Sequence, residues 1–285
     1  MNYARISIVT PSFNQGEFLE ETIQSVISQN YPNLDYIIID GGSTDDSIEI
    51  IKKYEKYLSY WVSEKDNGLY DALEKGFQRS SGEIMGWINS DDLLHKNSLY
   101  VLSNIFTNNN HINWLQGRPS VYDESGMTVD VHEHVYSKYH FYLKQYITGR
   151  LIQQESTYWR RSLWQKAGAS ILTPYKYAGD FELWIRFFRY ELLHYTNALI
   201  GGYRFRTSQL SRSYKAEYLA ECSAIIDSVV LNKEEVQTIK RIKLYQSTIM
   251  NLRFIGSLLR RYFKNVSLYQ EPVKFDFQKG KFFQE

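Results

Sequence analysis

The residues best suited to chemistry lie in short polar stretches that each follow an apolar run. One is Asn89-Ser90-Asp91-Asp92. Adjacent carboxylates offer the hard oxygens that Mg²⁺ or Mn²⁺ takes, commonly one or two from the protein with phosphates completing the shell. A cation so held offsets charge building on a departing diphosphate. An aspartate here also suits the first turn of a helix, and these four residues alone leave both readings open. A second stretch is Asp40-Gly41-Gly42-Ser43-Thr44-Asp45-Asp46-Ser47. Its carboxylate precedes glycines that allow close backbone approach. Asp40 is placed to accept a hydrogen bond from a nucleobase or ribose, while Ser43, Thr44 and Asp45 suit a helix cap. The lysine and spacing of a P-loop are missing, as is the third glycine of a dinucleotide fingerprint. A third stretch, residues 63–76 (SEKDNGLYDALEKG), sets Asp66 and Gly68 directly before a helix. Asp71 and Lys75 lie one helical turn apart, a spacing that by itself describes a surface ion pair.

The elements that position these groups alternate. Residues 6–10 (ISIVT), 34–40 (LDYIIID), 58–63 and 84–88 (IMGWI) read as buried strands. Residues 17–29, a segment carrying Ile48, Ile51 and Tyr54, and residues 69–80 carry helical spacing, and another helix follows near Lys96. Four such alternations within about 105 residues imply a mostly parallel sheet flanked by helices. Ligands of such sheets bind at the carboxyl ends of the strands, where all four polar clusters fall, with Thr10-Pro11-Ser12 among them. Beyond Asn110 the pattern loosens. Residues 114–117, 120–122 and 154–160 read as strands, and 181–190, 213–230 and 234–264 as helices. Residues from 265 onward show no clear period and read as a mobile tail.

Composition narrows the classes. The 285 residues allow one full domain with an appendage. A formal net charge of +1 gives no global pull toward nucleic acid, which is not an expected partner. The one cysteine, Cys222, excludes an intrachain disulfide and a cysteine metal cluster. The N-terminus lacks a basic segment with a long apolar run, and no run of about 18 apolar residues occurs. The expected location is the cytoplasm, with contact at the inner face of the membrane.

In order and spacing, five pieces resemble family 2 glycosyltransferases: residues 8–14 (IVTPSFN), 20–26 (EETIQSV), 40–45 (DGGSTD), 66–76 and 89–92 (NSDD). The resemblance implies a GT-A fold, a Rossmann-like α/β arrangement with a mostly parallel sheet flanked by helices. It places a catalytic domain at 1–212, divided into a nucleotide-sugar half (1–110) and an acceptor half (111–212), with a helical extension at 213–285. It implies an inverting transfer from a nucleotide-sugar donor, a UDP-sugar before others, to a glycan or lipid-linked glycan acceptor, with Mn²⁺ or Mg²⁺ as cofactor. Thr10, Pro11, Asn14, Asp40, Asp66, Gly68, Asp71, Lys75, Asn89 and Asp91 are the expected donor-side residues, and Asp91 and Asp92 the metal ligands. Family members often carry Asp at the position of Asn89. Residues 177–184 (YAGDFELW) resemble the acceptor-side segment whose acid removes the acceptor proton. Asp180 is the first candidate and Glu182 the second; Trp184 suits a sugar platform or a core position. Residues 153–157 (QQEST) are expected to line the acceptor cleft. Residues 203–211 resemble a loop over the diphosphate, with Arg206 as phosphate partner.

Two rivals fit less well. A nucleotidyltransferase would carry a basic, glycine-rich signature early, and residues 11–16 (PSFNQG) hold no Lys or Arg. A catalytically dead scaffold predicts damage at Asp91, Asp92 or Asp180, and none is visible. Between residues 240 and 264 seven basic residues occur with no acid, and apolar residues recur at threes and fours. That pattern suits a helix lying on an anionic membrane and equally a helix packed on the catalytic domain.

Overall fold

A computed structural model describes residues 3–132, 136–149, 151–172, 174–206, 209, 213–251 and 272–284. The N-terminal half runs β1 (Ile6–Ser12), α1 (Gly16–Ile27), β2 (Leu34–Asp40), α2 (Ser47–Tyr54), β3 (Tyr60–Ser63), α3 (Leu69–Arg79), β4 (Ile84–Trp87), β5 (Leu93–Leu94) and α4 (Ser98–Asn108). There follow β6 (Trp114–Gln116), β7 (Ser120–Tyr122), β8 (Thr128–Val131), α5 (Lys138–Tyr142), β9 (Thr157–Arg160), α6 (Arg161–Lys166), α7 (Gly179–Phe187), β10 (His194–Tyr195) and β11 (Gly201–Arg204). The chain continues through α8 (Lys215–Asp227), α9 (Lys233–Asn251), β12 (Lys274–Asp276) and β13 (Lys281–Phe283).

Seven strands form the main sheet in the order β10-β6-β9-β4-β1-β2-β3. Strands β4, β1, β2 and β3 are parallel, and β9 runs antiparallel between β4 and β6. The apolar runs are continuous because both faces are covered. Ile37 and Ile39 point into one core with Leu73, Phe77, Trp87 and Trp184. Tyr36 and Ile38 point into the other with Leu19, Ile23, Val26 and Leu99. A smaller sheet, β5-β11-β7-β8, stands at the carboxyl edge of the first.

The C-terminal segments pack on this body. Cys222, Ile225 and Ile226 of α8 are buried in the same core as α7. The last described residues differ from the expected mobile tail. They form a β12–β13 hairpin, and Val273 is fully buried with its N–H on the Tyr195 carbonyl at 2.8 Å. Asn104 and Asn109 of the α4 region take the hairpin's backbone at Phe282 and Gln284. Alternating Lys274-Phe275-Asp276-Phe277 with Gly280 at the turn is the cause in the sequence. In α9, Glu235, Thr238 and Ile242 are buried, while Lys240, Arg241 and Lys243 are exposed. Residues 252–264 of the basic segment lie outside the described residues. Among the described residues no helix is long and apolar enough to cross a membrane.

Candidate active site

The loops after β1, β2 and β3 interlock. Asp40 ends β2 fully buried and accepts from the Gly42 and Ser43 N–H groups at 3.1 and 2.9 Å, and from the Ser43 and Ser63 hydroxyls at 2.5 and 2.6 Å. Asp40 thus shapes the loop after β2 through four accepted hydrogen bonds. The left-handed Asn14 (φ 50°) takes the Thr44 N–H at 2.8 Å, tying the first loop to the second. Gly41 lies against Asp66: a Cβ there would stand 2.8 Å from Asp66 Oδ2. The Asp66 carboxyl thus occupies the space beside the glycine pair, and burial raises its pKa above the usual carboxylate range. Thr10 is buried, its hydroxyl 3.2 Å from the Tyr36 hydroxyl, and Pro11 pairs with Ile39 inside the sheet. Asp71 accepts the Asn67 N–H at 3.0 Å, and Lys75 pairs with Glu64 at 2.9 Å. These two brace the loop that ends at Gly68, whose φ of 106° opens α3.

At the end of β4 the two aspartates have different surroundings. Asp92 is buried, takes the Arg204 backbone N–H at 2.8 Å and the Asn89 amide at 3.1 Å, and burial holds its carboxyl well above the usual range. Asp91 faces the cleft, where Arg206 Nη2 meets its Oδ2 at 2.5 Å. Arg206 also lies 4.4 Å over the Phe18 ring. Arg204 was not singled out by sequence reasoning, yet its side chain is fully buried. It donates to the Asp91 and Glu124 carbonyls at 2.7 Å each and to Glu21 at 2.5 Å, fastening α1, the Asp91 loop and the β7–β8 turn together.

Asp180 stands in the first turn of α7. Its Oδ1 and Oδ2 lie 3.3 Å from the Tyr70 and Tyr218 hydroxyls, and its N–H donates to Tyr70 at 3.2 Å. Burial pushes its pKa up to about 6. The segment before α7 is gripped by Glu221 of α8, which accepts the Lys176, Tyr177 and Ala178 N–H groups at 3.0, 2.8 and 2.8 Å. Tyr218 and Glu221 belong to the segment taken as an appendage beyond residue 212, so α8 is part of the site's framework. Glu182 does not join the cleft. Its carboxylate takes Arg186 Nε at 2.9 Å and lines a separate cavity of about 390 Å³ with Tyr175 and Arg189. An i,i+4 Glu–Arg pair explains this. Trp184 is a core residue, stacked on Trp87 at 5.6 Å.

Glu155 occupies a single 3-10 turn (Gln154–Ser156) before β9 and is 2% exposed. Its Oε1 has no hydrogen-bond partner, and burial, with the charges of Asp91 and Asp180, pushes its pKa up to about 8. The sign for stability follows. The folded state holds a proton that the unfolded chain releases near 4.5, so stability falls as pH rises from about 4.5 through about 8. Glu155→Gln should raise the melting temperature at pH 8.5 and leave it unchanged at pH 4, as read by thermal denaturation. The turn itself is clamped: a Cβ on Gly201 would stand 2.1 Å from the Glu155 carbonyl oxygen. Gly201→Ala should therefore cost roughly 1–3 kcal/mol or more in denaturant titration, because backbone must move.

Among the described residues no three His, Cys, Asp or Glu side chains converge to cage a cation unaided. The donor set still suits a divalent cation of the Mg²⁺ or Mn²⁺ kind, which needs few protein ligands when phosphates supply the rest. Asp91 offers a carboxylate at the cleft, and the buried Asn89 Oδ1 beside it has no partner.

The element order, with acids at the carboxyl edge, defines a GT-A fold. Residues 7–165, more than half of the chain, match the family described as Glycosyl transferase family 2, and the chain belongs to that family. An uncharacterized glycosyltransferase of Rickettsia bellii is 25% identical over 254 residues, 84% of this chain and 35% of that protein. The poly(ribitol-phosphate) beta-N-acetylglucosaminyltransferase TarP of Staphylococcus aureus is 36% identical over 111 residues, 37% of this chain and 34% of that protein. The chain thus spans about a third of the length of these relatives. Among solved structures, S. aureus TarS 1-349 in complex with UDP-GlcNAc superposes with a TM-score of 0.62 at 15% identity, covering 82% of this chain and 70% of that one. The mannosyltransferase PcManGT of Pyrobaculum calidifontis, in complex with GDP-Man and Mn²⁺, gives 0.63 at 13% identity, covering 94% and 82%.

Proposed function

We propose that this protein is an inverting glycosyltransferase. It moves a sugar from a nucleoside-diphosphate sugar, a UDP-sugar before others, onto a hydroxyl of a glycan or lipid-linked glycan in polysaccharide biosynthesis. The observation that carries the reading is two unlike acids: Asp91, held by a guanidinium just past the end of β4, and Asp180, held by two tyrosines with a raised pKa. An inverting displacement needs both a cationic environment for the leaving diphosphate and a base on the opposite side of the sugar. The nucleotide sugars and the Mn²⁺ named for TarS and PcManGT support the donor class and a divalent cofactor.

The residues divide the work. Asp66 stands in the nucleoside pocket beside Gly41. Asp91 is the metal-facing carboxylate, because Asp92 is committed to the Arg204 N–H and Asn89. A bound Mn²⁺ or Mg²⁺ would supply Lewis-acid stabilisation of the diphosphate. Arg206 exchanges Asp91 for the diphosphate when donor arrives, since a guanidinium forks onto two oxygens. Arg206→Ala should weaken donor binding by roughly 10- to 100-fold, the worth of a charge-assisted hydrogen bond, as measured by titration. Asp180 accepts the acceptor proton, and the Tyr70 and Tyr218 hydroxyls fix its orientation. The buried start of α9 favours packing of that segment on the body, and membrane contact rests on the basic residues further along. The protein would act in the cytoplasm, at the inner membrane face.

A thermal-shift panel of nucleoside diphosphates and nucleotide sugars, with and without Mn²⁺, tests the reading. A ligand at 100 times its Kd stabilises by about 2.7 kcal/mol, several degrees for a chain of this size. One base should give a metal-dependent shift. A panel with no shift, with or without Mn²⁺, would sink the proposal.

A further inference from the structure

Asp91, Asp180 and the buried Glu155 are electrostatic neighbours, and the proposed chemistry uses two of them. We infer that the third, Glu155, binds a hydroxyl of the transferred sugar and so helps set donor-sugar specificity. The inference rests on the transferase reading and extends it.

Its position follows from stereochemistry and from the fold. In an inverting displacement the leaving diphosphate, the anomeric carbon and the attacking oxygen lie in line. The sugar ring must therefore stand between the group that holds the diphosphate and the group that takes the proton. The turn carrying Glu155 lies against Gly201, which pairs with Leu94 just beyond Asp91 and Asp92, and the charges of Asp91 and Asp180 both act on its carboxyl. Its carboxyl is 2% exposed and its Oε1 is without a partner. A buried oxygen left this way calls for a polar ligand, since an unmet acceptor costs free energy. Neighbouring Gln154 likewise keeps both amide atoms buried and unpartnered. Asp92, by contrast, already has its donors.

The support is rigid, as a specificity residue requires. The Gly201 Cα packs on the Glu155 carbonyl so closely that a Cβ would stand 2.1 Å away. The Ser156 carbonyl accepts the Gly117 N–H at 2.8 Å, and the Thr157 hydroxyl donates to the Gln153 carbonyl at 2.7 Å. The turn is thus fixed between β11 and the end of β6 by backbone contacts. A sugar hydroxyl could donate to Oε1, a geometry that an epimer lacking that orientation would miss, leaving the acceptor buried and unmet.

The test separates sugar from diphosphate. UDP, UDP-glucose, UDP-galactose, UDP-GlcNAc and UDP-GalNAc are titrated with Mn²⁺ into the parent chain, Glu155→Gln and Glu155→Ala. The readout is the ratio of UDP Kd to the Kd of the tightest UDP-sugar. The expected result is a fall in that ratio of roughly 3- to 10-fold in Glu155→Ala, the scale of one lost hydrogen bond, with the Kd for UDP unchanged. Glu155→Gln, which keeps an acceptor oxygen, should retain part of the ratio and confirm that the fold survives. Equal weakening of UDP and UDP-sugar would overturn the inference by placing Glu155 on the diphosphate or metal. An unchanged ratio in both variants would overturn it as well, making the side chain purely structural. A parent that binds none of these ligands, nor any base in the nucleotide panel, would instead remove the transferase reading, and the inference with it.

Discussion

Asp180→Asn should lower kcat by roughly 10²- to 10⁴-fold, the usual contribution of a positioned base, while leaving donor affinity within a factor of about two of the parent's, since only the proton acceptor is lost. Asparagine keeps the size of the side chain and its contacts with Tyr70 and Tyr218, so the fold and the cleft should survive. The pH profile gives an independent check. A base must be ionised to work, and burial pushes Asp180 up to about 6. Turnover should therefore rise with pH through about 6 in the parent. In Tyr70→Phe or Tyr218→Phe that limb should move to higher pH, because each hydroxyl stabilises the carboxylate. In Asp180→Asn the limb should vanish. An unchanged limb in the variant would assign it to another group.

Asp91 and Asp92 should separate cleanly, although they are neighbours in the chain. Asp91→Asn should reduce turnover by about 10²- to 10³-fold through loss of electrostatic support at the diphosphate, with little loss of stability. Its ion pair with Arg206 is largely buried, with side-chain exposures of 15% and 12%, and asparagine keeps an oxygen that accepts from the guanidinium. Asp92→Ala should do the reverse in kind. It removes the acceptor for the Arg204 N–H and the partner of the Asn89 amide, leaving donors buried and unmet, at roughly 1–3 kcal/mol for each. Denaturant titration should show Asp92→Ala well below the parent and Asp91→Asn close to it. If both variants lost turnover at unchanged stability, Asp92 would be a second ligand and its hydrogen bonds incidental.

The parts legible in the sequence were those with a local cause. Strands β1, β2 and β4 appeared as apolar runs because a parallel sheet buries both faces, and helix α3 appeared from its spacing. The acids at the strand ends were placed by the same logic. What the sequence hid was set by long-range packing. Nothing local says that β9 inserts antiparallel between β4 and β6, and that insertion buries the turn carrying Glu155 against Gly201 of β11. Arg204 and Arg206 have the same residue type and lie two apart, yet one is a buried fastener and the other reaches the cleft. Arg204 ends β11, whereas Arg206 lies beyond it. Glu221 grips the start of α7 from a helix more than 40 residues later, a contact no spacing announces. Glu182 is different: its partner Arg186 was readable at i,i+4. The terminal hairpin was also readable, from alternation and a glycine turn.

The most direct test of the account follows the anomeric proton by NMR while a UDP-sugar identified by binding is turned over in the presence of Mn²⁺, with water standing in for the acceptor. UDP-sugars of the common hexoses are α-linked. The account predicts that the released sugar first appears as the β anomer, and that Asp180→Asn abolishes its formation. Appearance of the α anomer first, or undiminished release by Asp180→Asn, would contradict it.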